Sequence, residues 1–197
     1  MSTNRRWIGY IAYALVGCLG LVNEGCVQPS VTGSGVSASE TRKAEPFSAI
    51  RLDGAADIDV AIADHTEVVI TTDDNILNLV ETTNEGNTLV IRERKSVNAR
   101  NGVHVSIKTP SLDRVTVNGV GNVSITDLKE PALTLDLNGT GSLAAKGQVD
   151  KLNMTLNGTG RANLVNLAAQ DATIQLNGTG NASVNSAASL NVSINGT

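Results

Sequence analysis

Aromatic residues are almost missing from this sequence. Of its 197 residues four are aromatic, Trp7, Tyr10, Tyr13 and Phe47, and the first three sit near the N-terminus. That excludes an aromatic platform for sugars, a base-stacking surface and an aromatic cage. Cysteine is as scarce. Cys18 and Cys26, both early in the chain, leave the rest without a disulfide framework or a cysteine zinc site. Proline stops at Pro131, so no later strand loses a ladder donor. His65 and His104 have no metal-ligand spacing, and neither a His-Glu-x-x-His nor a Gly-x-Ser-x-Gly motif occurs. The net charge is −4 with no large basic face, so nucleic acid is not expected as a partner. Beyond Arg161 the one ionisable side chain is Asp171.

What is present begins with a leader. Residues 1–17 read as an export signal: Arg5 and Arg6 give the positive start, and Trp7 to Val16 is an apolar run too short for a mature membrane span. Leu15-Val16-Gly17-Cys18 resembles the lipobox of bacterial lipoproteins. The resemblance implies that Cys18 becomes the lipidated N-terminus, and Leu19 after it favours outer-membrane sorting. Cys26 is the rival acylation site, but Asn23-Glu24-Gly25 departs from the pattern. Residues 18–45, rich in Ser, Thr and Gly, are expected to form a lipidated flexible tether, and residues 46–197 the domain.

Within the domain the sequence repeats itself. Asn118-Gly119, Asn138-Gly139, Asn157-Gly158, Asn177-Gly178 and Asn195-Gly196 recur at spacings of 20, 19, 20 and 18 residues. Each pair follows a strand of period-two alternation, as in Leu133, Leu135, Leu137 or Leu152, Met154, Leu156. Alternation resumes after each turn, at Val123 and Ile125 or Leu143 and Ala145, and a third apolar site recurs near Leu128, Val149, Leu167 and Ala187. An antiparallel meander with type I′ turns would need a second turn of equal quality per repeat, and none is apparent. The pattern therefore predicts an all-β fold, a single-stranded parallel β-helix with coils of about 20 residues. In it Asn118, Asn138, Asn157 and Asn177 would form a corner ladder, with Gly119, Gly139, Gly158 and Gly178 supplying positive φ.

Residues 46–117 are strand-rich without an obvious period, and residues 118–197 carry the Asn-Gly coils. Strands are expected at Phe47 to Leu52, Ile58 to Ala63, Val68 to Thr72, Leu89 to Arg92 and Val103 to Lys108. Asp73 or Asp74 is expected to cap a short helix carrying Ile76, Leu77, Leu79 and Val80. Several segments carry a family likeness: Gly33-Ser34-Gly35, Glu40-Thr41-Arg42, Phe47 with Ile50, Asp73-Asp74-Asn75-Ile76-Leu77, Thr88-Leu89-Val90-Ile91, Pro110-Ser111-Leu112 and the recurring turns. Together they resemble the putative auto-transporter adhesin, head GIN domain family of bacterial envelope proteins. The resemblance implies a β-helix shaped like pectin lyases without their catalytic residues, and an adhesive role. This chain has Asn-Gly-Thr-Gly where family members often carry Ser-Gly-Ser-Gly.

The carboxylates are the remaining candidates for chemistry. Asp57 and Asp59 share one strand face, whereas Asp127, Asp136, Asp150 and Asp171 fall in different repeat phases, so no glycosidase pair is predicted. Arg92, Arg94, Lys95 and Arg100 form a basic loop diluted by Glu93, read as a solvated tip. We therefore expect no enzyme, no metal and no cofactor. The expected function is adhesion, binding or surface scaffolding by an outer-membrane lipoprotein. A polysaccharide-active lyase or hydrolase on the same coil and a periplasmic envelope-stress partner protein are the alternatives. Candidate partners are the membrane through the lipid, a glycan or cell-surface protein, and a second copy through the uncharged C-terminal coil.

Overall fold

The computed structural model describes residues 30–196. The expected signal segment, Cys18 and Cys26 lie outside the described residues. The described chain is all-β apart from one 3-10 turn at Leu77–Leu79. In order, the strands are β1 (Val31–Thr32), β2 (Ser37–Arg42), β3 (Ala49–Asp53), β4 (Asp57–Ile62), β5 (Glu67–Asp73), β6 (Val80–Glu85) and β7 (Thr88–Glu93). There follow β8 (Val97–Asn98), β9 (His104–Thr109), β10 (Arg114–Val117), β11 (Val120–Leu137), β12 (Thr140–Leu156), β13 (Thr159–Leu176) and β14 (Thr179–Ile194).

The repeats pair in parallel throughout. Val120 lies beside Thr140, Thr140 beside Thr159 and Thr159 beside Thr179, and the same strands meet again at Leu137, Leu156 and Leu176. An antiparallel meander is therefore not adopted over these residues. Period-two alternation places like residues in columns: Leu133, Leu152 and Ala172; Leu135, Met154 and Ile174; Leu137, Leu156 and Leu176. All nine side chains are buried. Full burial of a Leu or Ile contributes about 1.5–3 kcal/mol, so each repeat is held by its neighbours' columns.

The third apolar site differs from the sequence expectation. Leu128 and Leu167 do share a position, but Gly147 stands between them, while Val149 aligns with Ala169. Ala187 is exposed. The cause is a corner of variable length: the register shifts between Ile125 and Leu128, and again between Leu164 and Ala168. Asp127 stands at the first of these with φ 61°.

The irregular half joins the same stack. β3 pairs in parallel with β10 and β7, and β4 with β11 and β9. Beyond them the direction reverses. β5 is antiparallel to β9 and β2, and β6 is antiparallel to β7. The five strands expected between Phe47 and Lys108 are present with ends shifted by one or two residues. Two expectations need correction. The tether does not extend to residue 45, because Ser37–Arg42 is strand β2, zipped to β5. Its residues are too polar to announce burial, since they form the outer edge. Nor do Asp73 and Asp74 cap a helix. The turn that follows has no side-chain cap, the Asp73 carboxylate is engaged elsewhere, and Asp74 accepts the Ser34 hydroxyl at 2.5 Å.

Candidate functional site: an asparagine ladder beside a glycine-floored groove

At the Asn-Gly corners the amides form one directed chain. Nδ2 of Asn138 donates to Oδ1 of Asn118 at 3.0 Å, Asn157 to Asn138 at 2.8 Å, and Asn177 to Asn157 at 2.8 Å. Asn195 continues it onto Asn177 at 3.1 Å. Aligned amide dipoles of this kind polarise one another. The chain has a head that the sequence reading missed: Nδ2 of Asn118 donates to Oδ1 of Asp53 at 2.8 Å. A carboxylate only accepts, so Asp53 starts the ladder without needing a donor above it. Arg51 holds its other oxygen at 2.9 Å and reaches Glu85 at 2.9 Å. The signal was available, because Leu52-Asp53-Gly54 has the form of Leu137-Asn138-Gly139.

The glycines serve a purpose other than the one expected. Gly119, Gly139, Gly158 and Gly178 do not have positive φ. A Cβ on Gly139 would collide with the Gly119 carbonyl oxygen, and one on Gly158 with that of Gly139, each well inside the 3.0 Å that Cβ atoms keep from their neighbours. The corner thus needs glycine because successive backbones touch. A second column, Gly121, Gly141, Gly160 and Gly180, is equally tight.

That second column floors a groove. One depression of ≈ 430 Å³ runs over Thr140, Gly141, Thr159, Gly160 and Thr179, and a neighbouring one of ≈ 410 Å³ shares Thr140 and Gly141 and extends to Asp57 and Asn122. One rim carries Thr140, Thr159 and Thr179, and the other carries Asn122, Ser142, Arg161 and Asn181, each set in register. The second rim repeats the ladder's logic in short form. Oδ1 of Asp57 accepts the backbone N–H and Nδ2 of Asn122, both at 2.9 Å, and the Ser142 hydroxyl donates to Oδ1 of Asn122 at 2.5 Å. A third depression of ≈ 420 Å³ lies over Lys129, Glu130, Gln148, Asp150 and Gln170.

The remaining sequence candidates are placed apart. Asp57 ties two strands together, while Asp59 is exposed one residue pair along the same face. Asp136 meets Arg114 at 3.2 Å, and Asp171 accepts the Ser189 hydroxyl at 2.5 Å. His65 bonds Asp64, and His104 lies against the Asn101 carbonyl. Arg92 and Arg94 do not form a free basic tip, because both grip Glu81, at 2.8 and 2.9 Å. The paired arginines hold the Glu81 carboxyl below its usual range. Among the described residues no cluster of three or more His, Cys, Asp or Glu is placed to hold a metal.

One buried carboxylate organises the irregular half. Asp73 is fully buried; burial alone would push it up, but N–H groups of Asn101, Gly35 and Arg100 and the Asn101 amide outweigh that and lower it. Those bonds fasten Gly35, Arg100 and Asn101 to the end of β5.

No curated protein sequence matches this chain. Solved structures do match its fold. A putative adhesin from Bacteroides fragilis is 19% identical, with a TM-score of 0.67, covering 85% of this chain and 97% of its own. Another putative adhesin, from Parabacteroides merdae, is 17% identical over 85% of this chain and 97% of its own, with a TM-score of 0.54. A putative lipid binding protein from Parabacteroides distasonis is 16% identical over 86% of this chain and 100% of its own, with a TM-score of 0.52. At such identities the likeness is one of fold. The family model for the putative auto-transporter adhesin, head GIN domain matches residues 46–197, the whole of the body built on the ladder and its groove, and the chain belongs to that family.

Proposed function

We propose that this protein is a non-catalytic adhesin of the cell envelope, a parallel β-solenoid held to the outer membrane by a lipid on Cys18. The observation that carries the reading is the family match over residues 46–197, supported by the parallel pairing of β11, β12, β13 and β14. A stack of near-identical repeats offers one chemistry many times along a line, which suits a long partner better than a small molecule. The groove supplies that line. Its rims repeat hydroxyls and amides, groups that bond sugar hydroxyls, and Arg161 adds a single cation. A linear, weakly acidic glycan of another surface fits this chemistry best. The groove has no aromatic anchor, so affinity would come from many weak polar contacts.

The test is binding of the full chain to a panel of neutral and acidic glycans and to whole cells, with reducing-end release followed alongside. Saturable binding without product is expected, and Arg161→Glu should weaken it at least tenfold for acidic glycans while leaving the far-ultraviolet spectrum unchanged. Steady release of new chain ends would overturn the reading in favour of a polysaccharide-active enzyme. Radiolabelled palmitate on the wild type but not on Cys18→Ser would support the anchor, and label that depends on Cys26 instead would move it.

A further inference from the structure

The irregular half gathers cations that the sequence scatters. β2 and β6 are its outermost strands. Arg42 ends β2 and Lys43 follows it, Glu81 lies near the start of β6, and Arg94 follows the end of β7. The 3-10 turn Leu77–Leu79 ties these pieces together. Nη2 of Arg42 donates to the Leu77 carbonyl at 2.8 Å, and the Arg94 backbone N–H donates to the Leu79 carbonyl at 2.9 Å. Between them lies a depression of ≈ 370 Å³ walled by Arg42, Lys43, Asn78, Glu81, Thr82 and Arg94. Along the chain, Glu93 dilutes the basic loop that holds Arg94. The fold brings in Arg42 and Lys43 from far upstream and turns Glu93 away to the Ala55 N–H.

Donors in this wall exceed the acceptors that could satisfy them. Its one carboxylate, Glu81, has both oxygens engaged, by Arg92 at 2.8 Å and by Arg94 at 2.9 Å. The Leu77 and Leu79 carbonyls are engaged as well. Arg94 spends one of its five N–H groups on Glu81. Arg42 meets Glu40 through Nη1 at 3.0 Å, but its Nε is buried without an acceptor. Lys43 makes no ion pair among the described residues. A buried donor without a partner is costly, so the guanidinium of Arg42 has an unmet demand for an acceptor.

We propose that this depression binds a phosphate group, carried by a soluble phosphate ester or by a lipid headgroup. Arg42 and Arg94 supply planar forks from two different strand ends, and Lys43 supplies a point charge from the segment after β2. A carboxylate has two oxygens in one plane and satisfies one fork. A phosphate presents oxygens in several directions and can bridge both forks and the ammonium. The bonds to Leu77 and Glu81 hold the two guanidinium groups before any ligand arrives, so little freedom is lost on binding. The volume is that of a small-ligand site and leaves room for the alcohol that the phosphate esterifies.

The site does not depend on the adhesin reading, because it shares no residue with the groove. Its position bears on the source of the phosphate. The described chain enters beside it, since β1 leads directly into β2 and β2 ends at Arg42. With the lipid proposed on Cys18, the depression would lie close to the anchoring membrane, which favours a headgroup.

The full chain, titrated with inorganic phosphate and with glycerol 3-phosphate and followed by phosphorus NMR, tests this directly. Saturable binding of one phosphate per chain is expected, and Lys43→Glu should weaken it about tenfold or more. Lys43 is exposed and unpaired among the described residues, so that change should leave the far-ultraviolet spectrum as it is. Arg42→Lys keeps the charge and loses the fork, and should also weaken binding. Lys146→Glu makes the same charge change at an exposed position outside the depression and should have no effect. Co-sedimentation with vesicles of phosphatidylcholine, with and without phosphatidylglycerol, separates the two sources. Retention on the second kind alone, lost in Lys43→Glu, would assign the site to a headgroup, and phosphate binding without retention would assign it to a soluble ester. Binding of none of these probes would overturn the proposal, as would equal losses in Lys43→Glu and Lys146→Glu. Glycan binding should be the same in Lys43→Glu and the wild type, so the phosphate site and the adhesin reading fail separately.

Discussion

Residues 49–62 and residues 114–126 lie side by side in one parallel register, yet the chain beyond each behaves differently. On the N-terminal side the strands reverse direction, ion pairs cover the edges, and a buried aspartate gathers two distant loops. On the C-terminal side direction never changes, charge fades out, and glycine carbonyls rest on glycine backbones. The irregular half encodes its shape in singular long-range contacts, and the repeats encode theirs in one contact used many times. A substitution should therefore act locally and idiosyncratically in the first half and according to depth in the stack in the second.

The sharpest way to break that contrast is at the glycines. Gly139→Val would push its Cβ into the Gly119 carbonyl, and the nearest atoms are all Gly119 backbone, with no flexible side chain to yield. We expect a loss of about 3 kcal/mol, the upper end of overpacking costs, or failure to fold. Gly86, in the turn between β6 and β7, has φ 61°, and a methyl group there would meet nothing within 4 Å. Gly86→Ala should cost only the left-handed penalty of about 1–2 kcal/mol. Urea midpoints of the two variants would compare them, and equal losses would contradict the idea that repeat contact sets the demand for glycine.

Depth in the stack is tested next by two residues in one register. Ile174→Ala empties a buried column position and should cost about 2–5 kcal/mol. Val192→Ala, its half-exposed neighbour in the next repeat, should cost less than about 1 kcal/mol. Similar losses in thermal unfolding would mean that burial in the column does not set the cost.

The ladder is a smaller effect. Asn157→Ala removes two exposed amide bonds, which together stabilise the fold by about 1 kcal/mol. Asn157→Asp should be no better, because a carboxylate accepts from Asn177 but cannot donate to Asn138. At the head, Asp53→Asn keeps the acceptor for Asn118 but sets an amide N–H against the Arg51 guanidinium that the other carboxylate oxygen now accepts from, and should cost up to about 1 kcal/mol.

These contrasts also explain what could be read in advance. The repeats were legible because period-two alternation and a recurring Asn-Gly are local signals that the stack multiplies. Parallel pairing followed from the lack of a second good turn. Three features were out of reach for different reasons. Strand β2 is a polar edge, so Ser37–Arg42 carries no hydrophobic pattern and reads as tether. The Asp73 staple reaches residues 38, 27 and 28 positions away, and nothing local marks it. The corner glycines suggested a turn conformation, whereas the true constraint is the neighbouring backbone, which a single repeat does not contain. Asp53 was legible in principle through Leu52-Asp53-Gly54, but it stands far upstream of the regular Asn-Gly spacing.

The faintest expected effect is in the response to acid, and it belongs almost entirely to the irregular half. The Asp73 carboxyl is held below its ordinary value of 3.8, so its contribution is complete above that value and is lost as pH falls through the lower folded one. Glu93 works in the opposite sense. Burial raises it above 4.5 against a single N–H from Ala55, and its Oε1 is buried without a partner. Its ionisation therefore costs stability at neutral pH, and that cost disappears as pH falls through the raised folded value. Wild-type protein should gain slightly on mild acidification and then unfold as the Asp73 contribution goes. Glu93→Gln, which keeps an acceptor for Ala55 and removes the charge, should raise the melting temperature at neutral pH by about 2 °C and remove the mild-acid gain. Asp73→Asn should instead flatten the steep acid limb from a lower starting point. A melting temperature of Glu93→Gln that tracks the wild type at every pH would mean that the buried oxygen is solvated after all, and that the two halves differ in their contacts but not in their response to protons.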